Sequence, residues 1–169
     1  MIELIAGGAR SGKSSYALET AEAKPGNKIY VATATSGDAE MGERIARHKA
    51  DRAPHWHLLE QPMYLAEVVK RYDSGDVLLI DCLTLWLSNW LCANKSDKWE
   101  NEKSAFLESL RDSKSDILIV TNEVGLGVVP IGELSRDFVD HSGWLHQEIA
   151  VLADKVTLVM FGLQLSLKG

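Results

Sequence analysis

The sequence predicts an α/β domain: a mostly parallel sheet with helices on both faces, carried on one unit spanning residues 1–169. Three observations carry that expectation. Short apolar runs suited to fully buried strands alternate with amphipathic or polar helical segments along the chain. The first run, Ile2 to Ala6, leads into Gly7 to Ser14, Gly-Gly-Ala-Arg-Ser-Gly-Lys-Ser, a full match to G-x-x-x-x-G-K-S/T where a strand hands over to a helix. A later run, Val77 to Ile80, ends in the carboxylate of Asp81, as expected of a buried strand presenting an acid at its carboxyl end.

The elements follow in order. Strands are expected at Ile2 to Ala6, Lys28 to Ala34, His57 to Glu60, Val77 to Cys82, Asp116 to Asn122 and Lys155 to Phe161, each an apolar run bounded by polar or glycine residues. An antiparallel hairpin through Leu163 to Leu167 closes the chain. Helical periodicity places helices over Lys13 to Ala23, Asp38 to Asp51, Tyr64 to Tyr72, Leu83 to Ala93, Glu100 to Asp112 and Gly132 to Ala153, the last either continuous or broken near Ser142-Gly143. The segment Asn94 to Glu102 is the most polar interruption and reads as a mobile surface loop.

Composition narrows the class of function. With 46% hydrophobic and 25% charged residues, the chain can bury one core. A net charge of −6 argues against a nucleic-acid partner. The start carries neither a basic leader nor a long apolar segment, so no membrane span is expected, and a reducing cytoplasm fits a chain with two cysteines in no metal-like pairing. Cys82, after a strand, and Cys92, on an apolar helix face, read as packed side chains.

The chemistry begins at the loop Gly7, Gly8, Ala9, Arg10, Ser11, Gly12, Lys13 and Ser14. A polyphosphate is gripped mainly by inward-turned backbone N–H groups, which forces conformations and close approaches that a Cβ obstructs. Lys13 supplies a flexible positive charge for the terminal phosphates, Ser14 a hydroxyl for magnesium, and the helix start a partial positive charge. Asp81 is the matching candidate to hold the magnesium ion beside Ser14. Asn94-Lys95-Ser96-Asp97 fits a guanine-reading tetrad, but it follows a helical run instead of a buried strand, and Asp81-Cys82-Leu83-Thr84 lacks the glycine of a switch GTPase. Leu83, Trp86, Leu87, Trp90 and Leu91 form an apolar helical stripe that suits either the core or a subunit contact.

The segment Asp38 to Arg52 starts acidic and finishes basic, the polarity that favours a helix. Its His48 stands among Arg44, Lys49 and Arg52. Such cations would hold a phosphate and push an imidazole toward its neutral, nucleophilic form, although a lone helical histidine is usually a solvated side chain.

Taken together, Gly-Gly-Ala-Arg-Ser-Gly-Lys-Ser, Tyr30-Val-Ala-Thr-Ala, Arg44-Ile-Ala-Arg-His-Lys with Arg52, Trp56 and Glu60, Leu79-Ile-Asp-Cys-Leu-Thr, and Thr121-Asn-Glu-Val-Gly-Leu-Gly-Val-Val-Pro130 resemble, in the same order, the bifunctional adenosylcobinamide kinases and adenosylcobinamide-phosphate guanylyltransferases. The resemblance spans nearly the whole chain. It implies a RecA-like P-loop NTPase fold, a propeller-like homotrimer with sites near subunit boundaries, and two reactions of cobalamin biosynthesis. In the first, the terminal phosphate of ATP or GTP passes to the aminopropanol hydroxyl of adenosylcobinamide. In the second, GMP from GTP is joined to that phosphate through a GMP-histidine, giving adenosylcobinamide-GDP and pyrophosphate.

The resemblance makes His48 the guanylylated residue, with Lys13 the catalytic cation of the kinase half. It matches Thr33, Ala34 and Thr35, then Lys49, Ala50, Asp51 and Arg52, then Glu60 and Asp81, to GTP contacts. Asp81 therefore has two competing roles, metal and nucleotide, while Glu60 carries the acceptor chemistry that suits guanine N1–H and its amine. Asn122, Glu123, Gly125 and Gly127 are substrate-side candidates at the mouth of a strand. His55, His57, His141 and His146 lie in no motif and read as structural. A monofunctional small-molecule kinase sharing Lys13, Ser14 and Asp81 is the alternative, and a motor-type ATP-binding module a more distant one.

Overall fold

The computed structural model describes residues 1–35, 54–93 and 96–169. Its sheet has seven strands: β1 (Ile2–Gly7), β2 (Asn27–Ala32), β3 (His57–Glu60), β4 (Asp76–Asp81), β5 (Asp116–Asn122), β6 (Lys155–Met160) and β7 (Leu163–Lys168), in the order β3-β2-β4-β5-β1-β6-β7. Every neighbouring pair is parallel except β6 with β7, the expected terminal hairpin. The helices are α1 (Lys13–Glu22), α2 (Leu65–Arg71), α3 (Leu83–Cys92), α4 (Ser96–Asp112) and α5 (Glu133–Leu152).

The central strands are buried on both sides, which is why they read as continuous apolar runs and not as alternating ones. Ile117 and Ile119 of β5 face a core shared with α2, α3, α4 and α5, whereas Leu118 and Val120 face the side covered by α1 through Ala17 and Ala21. The stripe on α3 belongs to the first of these cores. Leu83, Trp86, Leu87 and Trp90 are buried within the chain, so packing accounts for them and a subunit contact does not.

The expected polar loop at Asn94 to Glu102 is corrected from Ser96 onward: a helix begins there, not at Glu100, and runs unbroken to Asp112. Trp99 supplies the reason. It is buried, with its ring centroid 4.9 Å from that of Trp86 and 6.5 Å from that of Trp90, so an otherwise charged stretch is tied to α3 by one aromatic anchor. Residues 94 and 95 of the guanine-like tetrad lie outside the described residues, and Ser96 opens a helix instead of ending a strand.

Of the two readings at Ser142-Gly143, the continuous one holds: α5 runs through without a break. A glycine in a helix costs about 1 kcal/mol against alanine. Burial of Ser142, Leu145 and Ile149 on one face outweighs that cost. Strand β2 ends at Ala32, short of the expected Ala34, and β6 ends at Met160, where Phe161 turns into the left-handed region at φ 55°. Cys82 is buried as expected, but Cys92 is exposed, so its helix face is not fully covered. The helix expected over Asp38 to Asp51 lies outside the described residues.

Candidate active site at the carboxyl edge of the sheet

The parallel strands end together, and the chemistry-bearing residues collect on that edge. β1 delivers Gly7, and α1 begins at Lys13 after a tight loop whose last residue, Gly12, has φ 95°. That left-handed value is open to glycine at no steric cost. At Gly7 the constraint is space: a Cβ there would lie 2.5 Å from the Val159 carbonyl oxygen and 2.5 Å from Ser11 Oγ. The loop is closed by the Ser11 N–H donating to the Gly8 carbonyl at 3.3 Å, and Lys13 Nζ arches back to the same oxygen at 3.2 Å. This places the ammonium over the loop whose amides the sequence assigns to phosphate. Ser14 follows in the first turn of α1, half-buried.

The hairpin at the end of the chain braces this loop, a contact that no local motif announces. The Gly162 N–H donates to the Ser11 carbonyl at 2.9 Å, and a Cβ on Gly12 would come within 3.3 Å of the Gly162 Cα. Ser11 Oγ is buried with no hydrogen-bond partner among the described residues, a polar atom inside the loop itself.

Asp81 ends β4, but β4 does not touch β1; β5 runs between them. Two strand spacings, roughly 10 Å, therefore separate the carboxylate's strand from the loop's strand. Asp81 is half-buried, and its Oδ2 accepts the Tyr30 hydroxyl at 2.6 Å, which fixes one oxygen. A magnesium ion bound with nucleotide phosphates needs only one or two protein oxygens beside water and phosphate. The Ser14 hydroxyl and the Asp81 carboxylate are hard oxygen donors that fit such an ion. No cluster of three or more His, Cys, Asp or Glu side chains suited to a metal occurs among the described residues, which excludes there a site built wholly from such protein ligands.

Thr33 is placed differently from its neighbours Ala34 and Thr35. Its side chain is fully buried, its hydroxyl donates to the Cys82 carbonyl at 2.8 Å and accepts the Cys82 N–H at 2.8 Å, and its own N–H donates to the Asp81 carbonyl at 3.1 Å. It clasps the end of β2 to the end of β4. Asn89 on α3 adds a second tie by donating to the Thr33 carbonyl at 2.8 Å. Ala34 is half-buried and Thr35 exposed on the same edge.

Glu60 ends β3, the far edge strand, and is exposed. Four strand spacings, roughly 19 Å, separate its strand from β1, so the edge brings Glu60 near Ala32 and not near the loop. His48, Lys49, Ala50, Asp51 and Arg52 lie outside the described residues. The chain re-enters description beside α1, where Trp56 Nε1 donates to Glu22 at 2.6 Å and the His55 ring lies 3.0 Å from the same carboxylate. These contacts, the Trp56 bond first, hold the Glu22 carboxyl below its usual range.

On the other side of the loop, Asn122 pairs with Gly7 across β5 and β1, and the Glu123 N–H donates to the Gly7 carbonyl at 3.1 Å. Sequence reasoning placed Asn122 and Glu123 at this mouth but missed what holds them. The Asn122 N–H donates to Thr84 Oγ1 at 2.8 Å, and Thr121 Oγ1 lies 2.7 Å from His146 Nε2. Tyr30 was legible only as part of a block; its bond to Asp81 spans 51 positions of sequence.

Known proteins agree with this geometry. Among curated relatives, the chain is 50% identical to the "Bifunctional adenosylcobalamin biosynthesis protein CobP" of Pseudomonas aeruginosa, over 100% of this chain and 98% of that one. It is 34% identical to the "Bifunctional adenosylcobalamin biosynthesis protein CobU" of Escherichia coli K12, over 99% and 100% of the two chains. Among solved structures, a prototypical ATPase from the type III secretion system of pathogenic bacteria superposes with a TM-score of 0.59 at 13% identity, covering 98% of this chain and 56% of that one. The flagellar accessory protein FlaH from Methanocaldococcus jannaschii gives 0.54 at 14% identity, covering 99% and 77%. These two likenesses speak to the fold alone. The family model described as cobinamide kinase / cobinamide phosphate guanyltransferase matches residues 3–167, and the chain belongs to that family.

Proposed function

We propose that this chain carries out two consecutive transfers on one corrinoid. In the first, the terminal phosphate of ATP or GTP moves to the aminopropanol hydroxyl of adenosylcobinamide. The loop from Gly7 to Ser14 grips the phosphates, and Lys13 neutralises charge on the transferred group. This is catalysis by positioning and electrostatics, with little covalent work for the protein. Magnesium, held through Ser14 and Asp81, would supply charge neutralisation across the phosphates.

In the second transfer His48 is the nucleophile. An imidazole nitrogen forms a bond to the α-phosphorus of GTP as the bond to pyrophosphate breaks, giving a GMP-histidine. A phosphate oxygen of adenosylcobinamide phosphate then attacks the same phosphorus, and the histidine leaves with its electron pair. Two displacements give net retention at phosphorus. Ala34, Thr35, Lys49 to Arg52, Glu60 and Asp81 serve as GTP contacts, with Glu60 accepting hydrogen bonds from the guanine edge, while the buried Thr33 holds that edge in place instead of touching the nucleotide. We assign the working form to a cytoplasmic homotrimer.

The observation that carries the kinase half is the Lys13 ammonium arched over a phosphate loop that is pinned by β5 on one side and by the terminal hairpin on the other. Incubation with GTP labelled at the α-phosphate tests the guanylyl half. An acid-labile radioactive adduct on the wild-type chain, absent from His48→Ala, is expected. A wild-type chain without adduct, or an undiminished adduct on His48→Ala, would leave the monofunctional kinase in its place.

A further inference from the structure

The end of β5 is held by a chain of side chains that reaches away from the phosphate loop to α5. Thr121 is fully buried and pairs with Ala6, one residue before Gly7. Its hydroxyl oxygen lies 2.7 Å from His146 Nε2 and 3.4 Å from Thr84 Oγ1. Thr84, in the first turn of α3 and three residues beyond Asp81, accepts the Asn122 N–H at 2.8 Å. The next residue, Glu123, donates its N–H to the Gly7 carbonyl, and its Oε1 accepts the Gly125 N–H. Three elements therefore meet on one hydroxyl network whose outer end is the backbone beside the first loop glycine.

We propose that His146 is a positioning residue for phosphoryl transfer: as a neutral imidazole accepting the Thr121 hydroxyl, it fixes the Asn122–Glu123 turn against the phosphate loop. In the proposed network Thr84 Oγ1 accepts the Asn122 N–H and turns its own proton to Thr121 Oγ1, and the Thr121 proton points at Nε2. The tautomer required carries its proton on Nδ1.

Protonation would undo this arrangement in two places. An imidazolium donates from both nitrogens, so Nε2 would become a donor to the Thr121 oxygen and leave the Thr121 proton without the acceptor it had. The new charge would also draw on Glu123, the charged group that acts on His146, and so compete with the Glu123 bond to Gly125. Among the described residues, the other elements around the ring add no opposing charge. α3 presents the Thr84 hydroxyl, His146's own helix presents Ser142 Oγ at 3.5 Å, and Lys103 of α4 is engaged with Glu148 at 3.1 Å. Burial already holds the imidazole toward its neutral form against the pull of Glu123.

The inference rests on the kinase half of the proposed function, and the test separates the two. Kinase kcat and KM are measured on the full chain from about pH 5 to 8 with wild type, His146→Phe and His146→Gln, the range in which a histidine titrates. His146→Phe, which cannot accept, should lower kcat by about tenfold to a hundredfold with the nucleotide KM within about twofold. His146→Gln, which offers an acceptor but cannot titrate, should recover most of that loss and flatten the acid limb of the profile. Nitrogen-15 imidazole shifts of labelled wild-type chain should show His146 with Nε2 unprotonated at neutral pH. A folded His146→Phe with unchanged kcat, an acid limb that His146→Gln leaves in place, or a proton on Nε2 at neutral pH would each overturn the proposal. A wild type that transfers no phosphate at all would count against the kinase reading, and the imidazole shifts would still decide the network's direction.

Discussion

Lys13 shows how one residue's chemistry and its scaffold divide the work at this site. Its ammonium is held over the loop by the Gly8 carbonyl, so Lys13→Ala removes a charge without removing a hydrogen bond to any other element among the described residues. Loss of one preorganised charge-stabilising group costs about a hundredfold to a thousandfold in kcat, and that loss is expected here with the thermal midpoint unchanged. Gly7 is the opposite case. The atoms a Cβ would meet include the Val159 carbonyl of β6, which cannot retreat without breaking the sheet, so Gly7→Ala should destabilise by about 1–3 kcal/mol, read as a lower unfolding midpoint. The cysteines should separate on thiol titration. Burial, and then the neighbouring Asp81 charge, push the Cys82 thiol up to about 11, whereas Cys92 is exposed. The native chain should expose one fast-reacting thiol near pH 8 and the unfolded chain both. Two fast native thiols would show that the end of β4 opens.

At the scale of elements, the first turns of α4 depend on a single aromatic. Trp99 packs on Trp86 and Trp90, and Phe106 meets Trp86 from the next turns of the same helix with centroids 5.0 Å apart. Trp99→Ala should cost about 3–5 kcal/mol. Hydrogen exchange should then show the turn at 98–102 opening ahead of the rest of α4; uniform protection would place the helix's anchor elsewhere. This element also shows where sequence reading stopped. Lys98, Glu100, Asn101 and Glu102 surround Trp99 with polarity, so no local period betrays a helix whose partner face lies on α3. The segment β1–loop–α1 was legible because it is written in residue type: glycine where a Cβ is excluded, and lysine and serine in the order of the phosphate-loop motif. The clasp of Thr33 on Cys82 and the bond of Tyr30 to Asp81 were not, since each joins residues about fifty positions apart and neither partner type is distinctive alone. His146 reads from the sequence as structural and no more, for the same reason: the strand whose hydroxyl it meets lies 25 residues away.

For the molecule as a whole, acid stability and assembly can be argued from what is buried and what is not. His146 is held below the ordinary histidine value by burial, so the unfolded chain takes up a proton first as pH falls through about 6.5, and folding stability should decline from there toward the folded value and then level off. Thermal midpoints of His146→Gln should fall less steeply than wild type in that window; parallel slopes would remove His146 from the acid response. Assembly turns on the last strand. β7 is an edge strand with every residue exposed, and Leu163 and Leu165, opposite Met160 and Leu158, join Leu167 in an apolar row that no helix of the described residues covers. Val128, Val129 and Ile131, in the segment that follows the substrate-side glycines, are at least 72% exposed as well. An open apolar edge of this kind is a pairing and aggregation hazard unless something seats on it. A second copy would protect it, and the homotrimer proposed for this chain supplies one. Sedimentation or light scattering should then give three times the 18.7 kDa chain mass. Replacing Leu163 and Leu165 by lysine should shift that mass toward the monomer by placing unpaired charges in the contact, while the phosphate loop, braced by Gly162 and not by those leucines, stays formed. A trimer that survives both charges would mean that β7 faces solvent in the assembly and that the contact lies elsewhere on the chain.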